Sequence, residues 1–143
     1  MAETPSNMMP LGTKAPDFRL FDVSSSKYLS LQDVKSDKAT VIMFICNHCP
    51  YVKYIQPKLA EMAKTYQPNG INFVAISSND VESYPEDGPD KMREQAEIHQ
   101  FTFPYLYDET QDIAKAYQAA CTPDLYVFDH HLKCVYRGRF DPS

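Results

Sequence analysis

Two cysteines separated by two residues stand in the stretch Cys46-Asn47-His48-Cys49-Pro50. Two thiols at that spacing can close a small-ring disulfide when the second sits on the first turn of a helix. The apolar run Ala39-Thr40-Val41-Ile42-Met43-Phe44-Ile45 before them reads as a strand, and Tyr51 to Tyr66 after them reads as a helix. Cys46 is thereby predicted at a helix mouth, where unpaired N–H groups favour a thiolate and prepare it for disulfide exchange. Cys49, one turn further in, is positioned to resolve a mixed disulfide. His48 lies between them; when protonated it stabilises a neighbouring thiolate and makes the disulfide more oxidising. Each unit by which the Cys46 pKa falls corresponds to about 1.4 kcal/mol in favour of the anion.

The elements that must position this pair follow from patterning. Val41 to Ile45 is almost continuously apolar and rich in β-branched residues, the signature of a central strand buried on both faces. In the following helix Ile55, Leu59, Met62 and Tyr66 recur at helical spacing. Pro57 is expected to kink it, and Pro68-Asn69-Gly70 to stop it. Ile71 to Ile76 reads as a second buried strand that ends at Ser77-Ser78-Asn79-Asp80. An acidic loop over 83–89 leads to a helix carrying Met92, Ala96 and Ile98, with Asp90 as its predicted cap. Phe103 to Tyr107 is extended, and Ile113, Ala114 and Tyr117 fit a short helix. Leu125 to Phe128 and Cys134 to Arg137 form two strands around Asp129-His130-His131. Nearer the start, Phe18, Leu20 and Val23 alternate as a hairpin or edge strand, and Leu29 to Val34 leads into a short helix. Alternating strands and helices followed by a hairpin imply an α/β domain with a mixed sheet and helices on both faces.

The chain of 143 residues suits one domain, with a loose polar tail predicted over residues 1–13 and the domain over 14–143. After the hairpin, Phe140-Asp141-Pro142-Ser143 supplies no helix to cover the last strands, so a C-terminally incomplete domain is expected. The net charge of −5, without any basic stripe, argues against nucleic acid as a partner. Met1 to Pro10 lacks the cationic and apolar segments of a secretory signal, and no run has the length of a membrane span. A cytoplasmic location is therefore expected, where a close cysteine pair is catalytic or metal-binding more often than structural.

A second feature is Thr122-Pro123, just before the strand that opens at Leu125. A turn proline there can hold a cis bond and expose the preceding backbone to an extended substrate, with Thr122 facing the dithiol and Cys121 nearby. Taken together, Ala15-Pro16-Asp17-Phe18, the strand running into Cys46-Asn47-His48-Cys49, Phe103-Pro104-Tyr105-Leu106 and Thr122-Pro123 resemble the thioredoxin-like superfamily. The resemblance is to its branch related to alkyl hydroperoxide reductase and thiol-specific antioxidant proteins, and it spans about Leu11 to Phe140. It implies a thioredoxin-like mixed central sheet flanked by helices, with the final helix absent from this sequence. It also implies exchange chemistry at Cys46 and Cys49 and a cis peptide before Pro123. His48 stands where disulfide isomerases carry histidine.

Two departures matter. Ile45 replaces the tryptophan that precedes the first cysteine of thioredoxins, which alters the partner-facing surface. Peroxiredoxins carry Thr or Ser three residues before the peroxidatic cysteine, whereas Met43 precedes Cys46 and Cys46 itself precedes Cys49 at that spacing. Weak peroxidase activity is expected.

The function predicted is thiol–disulfide exchange through Cys46 and Cys49, supported by Asn47, His48, Cys121, Thr122 and Pro123. The partners would be a protein or small-molecule disulfide and a separate electron donor or acceptor. No organic cofactor, metal, membrane or nucleic acid is required. A thiol peroxidase and a non-catalytic binding module of the same fold remain the alternatives. A zinc site would need about four ligands, and the second Cys-x-x-Cys that would supply them is absent. Cys121 reads more as a small packing residue than as a third redox participant, and Cys134 as packing within a strand. Asp80 is a candidate proton-transfer group or a turn residue. His99, His130 and His131 are assigned to surfaces.

Overall fold

A computed structural model describes residues 9–45, 50–78, 88–119 and 124–139, with the backbone alone described for 50–55 and Arg139. The elements in chain order are β1 (Arg19–Asp22), β2 (Lys27–Ser30), α1 (Leu31–Val34), β3 (Ala39–Phe44), α2 (Pro50–Tyr66) and β4 (Ile71–Ser77). They continue with α3 (Pro89–Ile98), β5 (Tyr105–Tyr107), α4 (Asp112–Tyr117), β6 (Asp124–Phe128) and β7 (Cys134–Arg139). The strands form one mixed sheet in the order β2-β1-β5-β4-β3-β6-β7. β3, β4 and β5 run parallel, while β1, β6 and β7 each pair antiparallel with a neighbour.

Two apolar layers sandwich this sheet, as alternation along the strands requires. Val41, Met43, Ile45, Phe73 and Ala75 face Leu59 and Ala63 of α2 and Met92 and Ala96 of α3. Ile42, Phe44, Val74, Ile76, Tyr126 and Phe128 face the other way, toward Leu31 and Val34 of α1 and Ala114 and Tyr117 of α4. β3 therefore has the continuous apolar character of a strand covered on both sides, and Ile42 through Ile45 have no exposed surface.

Local chemistry sets the element ends. Ser30 and Asp33 form a reciprocal capping box at α1: the Ser30 hydroxyl accepts from the Asp33 N–H, and the Asp33 carboxylate accepts from the Ser30 N–H at 2.9 Å. That backbone N–H, with the Ser30 hydroxyl, holds the Asp33 carboxyl below its ordinary pKa. Ser30→Ala is expected to cost about 1 kcal/mol, read as a lower denaturation midpoint at unchanged slope. After α2 a 3₁₀ turn over Gln67–Asn69 closes on Gly70 at φ +92°, where a Cβ would stand 2.8 Å from the Lys38 side chain. Gly70 is thus required for its conformation, whereas the flexible end of Lys38 could move aside for a Cβ.

Two expectations change. Asp90 does not cap α3: Gly88 is the cap and Pro89 takes the first helical position, which leaves Asp90 in the first turn beside Arg93 at 3.6 Å. Residues 9–13, predicted as part of a loose tail, are held against the domain. Met9 is buried, the Gly12 N–H donates to the Cys134 carbonyl at 2.7 Å, and Thr13 accepts from the Cys134 N–H at 2.8 Å. Residues 1–8 and 140–143 lie outside the described residues.

A tyrosine cluster ties the first motif segment to the core. The Tyr117 hydroxyl donates to the Pro16 carbonyl at 2.6 Å, and the Tyr126 hydroxyl donates to the Tyr117 carbonyl at 2.8 Å. Burial pushes both phenols well above the ordinary tyrosine range, with Asp17 adding to the effect at Tyr117 and Asp124 at Tyr126. A raised phenol pKa means that folding favours the neutral form. The associated stability is whole below the unfolded value of 10.0 and is lost as pH climbs above it. Alkaline titration should show these two phenolates appearing together with loss of circular dichroism. Full ionisation of all ten tyrosines in a still-folded protein would contradict this.

Candidate active site

The parallel run of β3, β4 and β5 brings their carboxyl ends to one end of the sheet. Because β6 is antiparallel to β3, its first residue, Asp124, pairs with Phe44 at that same end. Beyond Phe44 the pairing continues by one hydrogen bond, Ile45 N–H to the Ile76 carbonyl at 3.0 Å. The Cys46-Asn47-His48-Cys49 motif and Cys121, Thr122 and Pro123 lie outside the described residues, as does Asp80. Their described neighbours are fixed. Ile45 and Pro50 bracket the first motif, and Asp124 directly follows Pro123. Phe44, two residues before Cys46, thus pairs with Asp124, directly after Pro123.

Pro50 is the first residue of α2. Proline suits that position because its φ is already helical and it lacks an N–H that would otherwise go unpaired. α2 carries no acidic residue in its first turn, so the helix itself supplies no carboxylate there to offset the positive end of its dipole. A helix of 17 residues with this amino end is an electrostatic setting that favours a nearby anion. Pro57 lies inside the helix.

Sequence reasoning did not single out the buried polar groups at this end of the sheet. Ser77 closes β4, Ser78 follows it, and Asp108 follows β5; all three are buried. The Asp108 carboxylate accepts from the Ser78 hydroxyl at 2.8 Å and from the Ala114 N–H at 3.0 Å, so it joins β4 to the start of α4. The Asp108 N–H donates to the Ser77 carbonyl at 2.9 Å. Among the described residues the Ser77 hydroxyl has no hydrogen-bond partner. Gln56, on α2, is also fully buried. The signal available in sequence was the change from an apolar strand to Ser-Ser at its carboxyl end; the pairing with Asp108, thirty residues on, is a tertiary contact.

The remaining candidates are placed elsewhere. Cys134 is buried in β7, in the layer that holds Phe44 and Tyr126, and burial pushes its thiol above the ordinary range. It therefore packs, as its strand position suggested. His130 and His131 occupy the β6–β7 turn, beyond Phe128, which pairs with Thr40 near the amino end of β3. They are at the opposite end of the sheet from the cysteine motif. Asp129 holds that turn by accepting the His131 and Lys133 N–H groups, and its carboxyl is lowered accordingly. His99 caps the end of α3 and bonds Gln95 at 3.1 Å. Among the described residues no group of three His, Cys, Asp or Glu side chains is placed to hold a metal ion.

An open cleft of about 520 Å³ lies at the far edge of the sheet, lined by Arg19, Phe21, Tyr28, Tyr107, Asp108 and Glu109. β4 separates its β5 wall from β3, so the cleft does not adjoin the strand that leads into the cysteine motif. No helix among the described residues is long and apolar enough to cross a membrane.

Residues 11–137 match the model of the AhpC/TSA family. Among solved structures, a conserved protein from Geobacillus kaustophilus, itself uncharacterized, is 60% identical with a TM-score of 0.92; the match covers 96% of this chain and 72% of that one. A hypothetical protein from Sinorhizobium meliloti is 39% identical with a TM-score of 0.89, covering 94% of this chain and 73% of the other. A thiol-disulfide oxidoreductase from Bacteroides fragilis shares the fold at 17% identity, with a TM-score of 0.75 and coverage of 90% and 92%. No curated protein matches.

Proposed function

Because the chain belongs to the AhpC/TSA family and has a thioredoxin-like fold, we propose that it is a thiol–disulfide oxidoreductase whose redox centre is the Cys46–Cys49 dithiol. One observation carries this reading. Cys-x-x-Cys connects a strand buried on both faces to a long helix that opens on proline, and Thr122-Pro123 directly precedes the strand that pairs with Phe44.

The Cys46 thiolate attacks one sulfur of a substrate disulfide. The S–S bond breaks, a mixed disulfide forms, and the departing thiolate takes a proton. The Cys49 thiolate then attacks the Cys46 sulfur, releases the second substrate thiol and leaves Cys46–Cys49 oxidised. Two electrons have passed to the substrate, and an external dithiol must return them by the reverse exchange. His48 tunes the thiolate, while Thr122 and Pro123 present backbone to an extended substrate, with Asn47 and Cys121 alongside. The substrates are protein or small-molecule disulfides, the location is cytoplasmic, and the cycle uses no organic cofactor, metal, membrane or nucleic acid.

Peroxide reduction is the weaker alternative, because Met43, three residues before Cys46, is fully buried and offers no hydroxyl to a peroxide. The test is reduction of insulin disulfides by dithiothreitol in the presence of the purified chain, with hydrogen peroxide consumption followed in parallel. Acceleration of insulin reduction that is lost on alkylating both thiols supports the proposal. Peroxide turnover that survives loss of Cys49, without insulin reduction, contradicts it. Capture of partners unaffected by alkylation would instead identify a binding module.

A further inference from the structure

The open cleft of about 520 Å³ at the far edge of the sheet forms where two strands part. β1 pairs with β5 at Phe21↔Tyr107 and Asp22↔Leu106, and the ladder goes no further toward Arg19. Past Tyr107 the chain turns toward α4. The Asp108 carbonyl accepts the Gln111 N–H at 3.2 Å, and the Asp108 carboxylate accepts the Ala114 N–H at 3.0 Å. The opening half of β1 therefore faces residues 108–110 across a gap.

Strand register puts three aromatic rings in one row along this gap. Tyr28 pairs with Phe21, and Phe21 pairs with Tyr107, so all three share a face of the sheet. Phe21 and Tyr28 meet edge to face at 5.5 Å, and the outermost ring, Tyr28, is 57% exposed. Arg19 lies on the same face, two residues from Phe21, with its guanidinium 5.3 Å from the centre of the Tyr28 ring. Among the described residues this guanidinium makes no ion pair. Asp33, which senses its charge, is held instead by the Ser30 N–H and hydroxyl. A guanidinium laid on a ring keeps its N–H fork available to a carboxylate. The β5 wall adds the exposed Glu109, which disfavours a second negative charge in the cleft, while the Asp108 carboxylate is engaged by Ser78 and Ala114.

We propose that this cleft binds a small molecule carrying one aromatic ring and one carboxylate. The ring lies on the Tyr28–Phe21–Tyr107 row, and the carboxylate pairs with Arg19. A cation beside a π-surface complements that pair of groups, and the volume is within the range of small-molecule sites. Binding is reversible and involves no covalent step. The proposal stands independently of the Cys46–Cys49 reading.

The test titrates phenylacetate into the full chain at about 0.15 M ionic strength, followed by NMR. 2-Phenylethanol serves as the uncharged ring and acetate as the anion without a ring. Amide shifts at Arg19, Phe21, Tyr28 and Tyr107 should saturate with phenylacetate at a Kd of about 1 mM, and each control should bind about fivefold more weakly or less. Arg19→Gln and Tyr28→Ala should each weaken phenylacetate about fivefold. Arg19→Gln changes one exposed side chain, and an amide spectrum matching wild type away from β1 and β2 separates lost binding from lost folding. Phenylacetate shifts that do not saturate, that map elsewhere on the chain, or that persist unchanged in Arg19→Gln would overturn the proposal. Equal binding of 2-phenylethanol would overturn it as well.

Discussion

Cys46→Ser will reduce disulfide exchange to the uncatalysed background, while Cys49→Ser will accumulate a stable mixed disulfide with its substrate. The asymmetry follows from the order of events. A serine hydroxyl does not ionise near neutral pH, so replacing the attacking sulfur removes the nucleophile altogether. Replacing the resolving sulfur leaves the first attack intact and blocks the second, so the intermediate is trapped. The two roles are assigned from chain position. Cys46 follows the buried strand β3 and its one-residue extension at Ile45, and Cys49 precedes Pro50 at the start of α2. Intact mass after incubation with oxidised glutathione reads both outcomes: no adduct at position 46 in the first variant, and a persistent one in the second. A trapped adduct in Cys46→Ser would reverse the assignment.

The largest effect on stability is expected at Tyr117. The side chain is fully buried, its ring lies 5.5 Å from Phe44 and about equally close to Tyr126 and Phe128, and its hydroxyl reaches Pro16. Tyr117→Ala removes a ring from the centre of the α1/α4 layer and should cost about 3–5 kcal/mol. That is a large share of the stability of a typical domain and should lower Tm by about 10 °C. Tyr117→Phe keeps the ring and deletes the hydrogen bond to Pro16, at an expected cost of about 1–3 kcal/mol. Thermal unfolding of the two variants separates packing from hydrogen bonding. Equal losses in both would show that the hydroxyl, rather than the ring, holds the layer.

The features legible in the sequence were those that depend on local periodicity. The apolar run at Val41–Ile45 announced a strand covered on both faces, and the 3.6-residue recurrence from Ile55 to Tyr66 announced α2 despite Pro57. Pro68-Asn69-Gly70 marked the stop because Gly70 is the residue able to take a positive φ there. What escaped depends on contacts between distant segments. Met9 to Thr13 looked like a tail because polar and proline-rich residues carry no period, yet backbone hydrogen bonds to Cys134 hold it. Asp90 was misread as a cap because an acid near a helix start serves equally well inside the first turn, once Pro89 has taken the first position. Asp22 and Asp108 gave no sign in the sequence of being buried, since an isolated aspartate is ordinarily a surface or turn residue. Asp22 accepts from Ser24, Ser25 and the distant Tyr105, and Asp108 joins β4 to α4. At the candidate site, the spacing of the cysteines conveyed the chemistry. The adjacency of Phe44, two residues before Cys46, and Asp124, directly after Pro123, required the antiparallel return of β6.

The measurement that bears most directly on the redox dithiol is its reduction potential, obtained by equilibrating the chain in defined glutathione buffers and reading pairing by intact mass and peptide mapping. The expected result is one two-electron transition between about −270 and −120 mV, with Cys46 and Cys49 linked and two hydrogens lost. A potential near the thioredoxin end favours reduction of substrates, and one near the upper end favours oxidation or isomerisation. A chain that stays fully reduced across all buffers, or that pairs Cys46 or Cys49 with another cysteine instead, would contradict the mechanism.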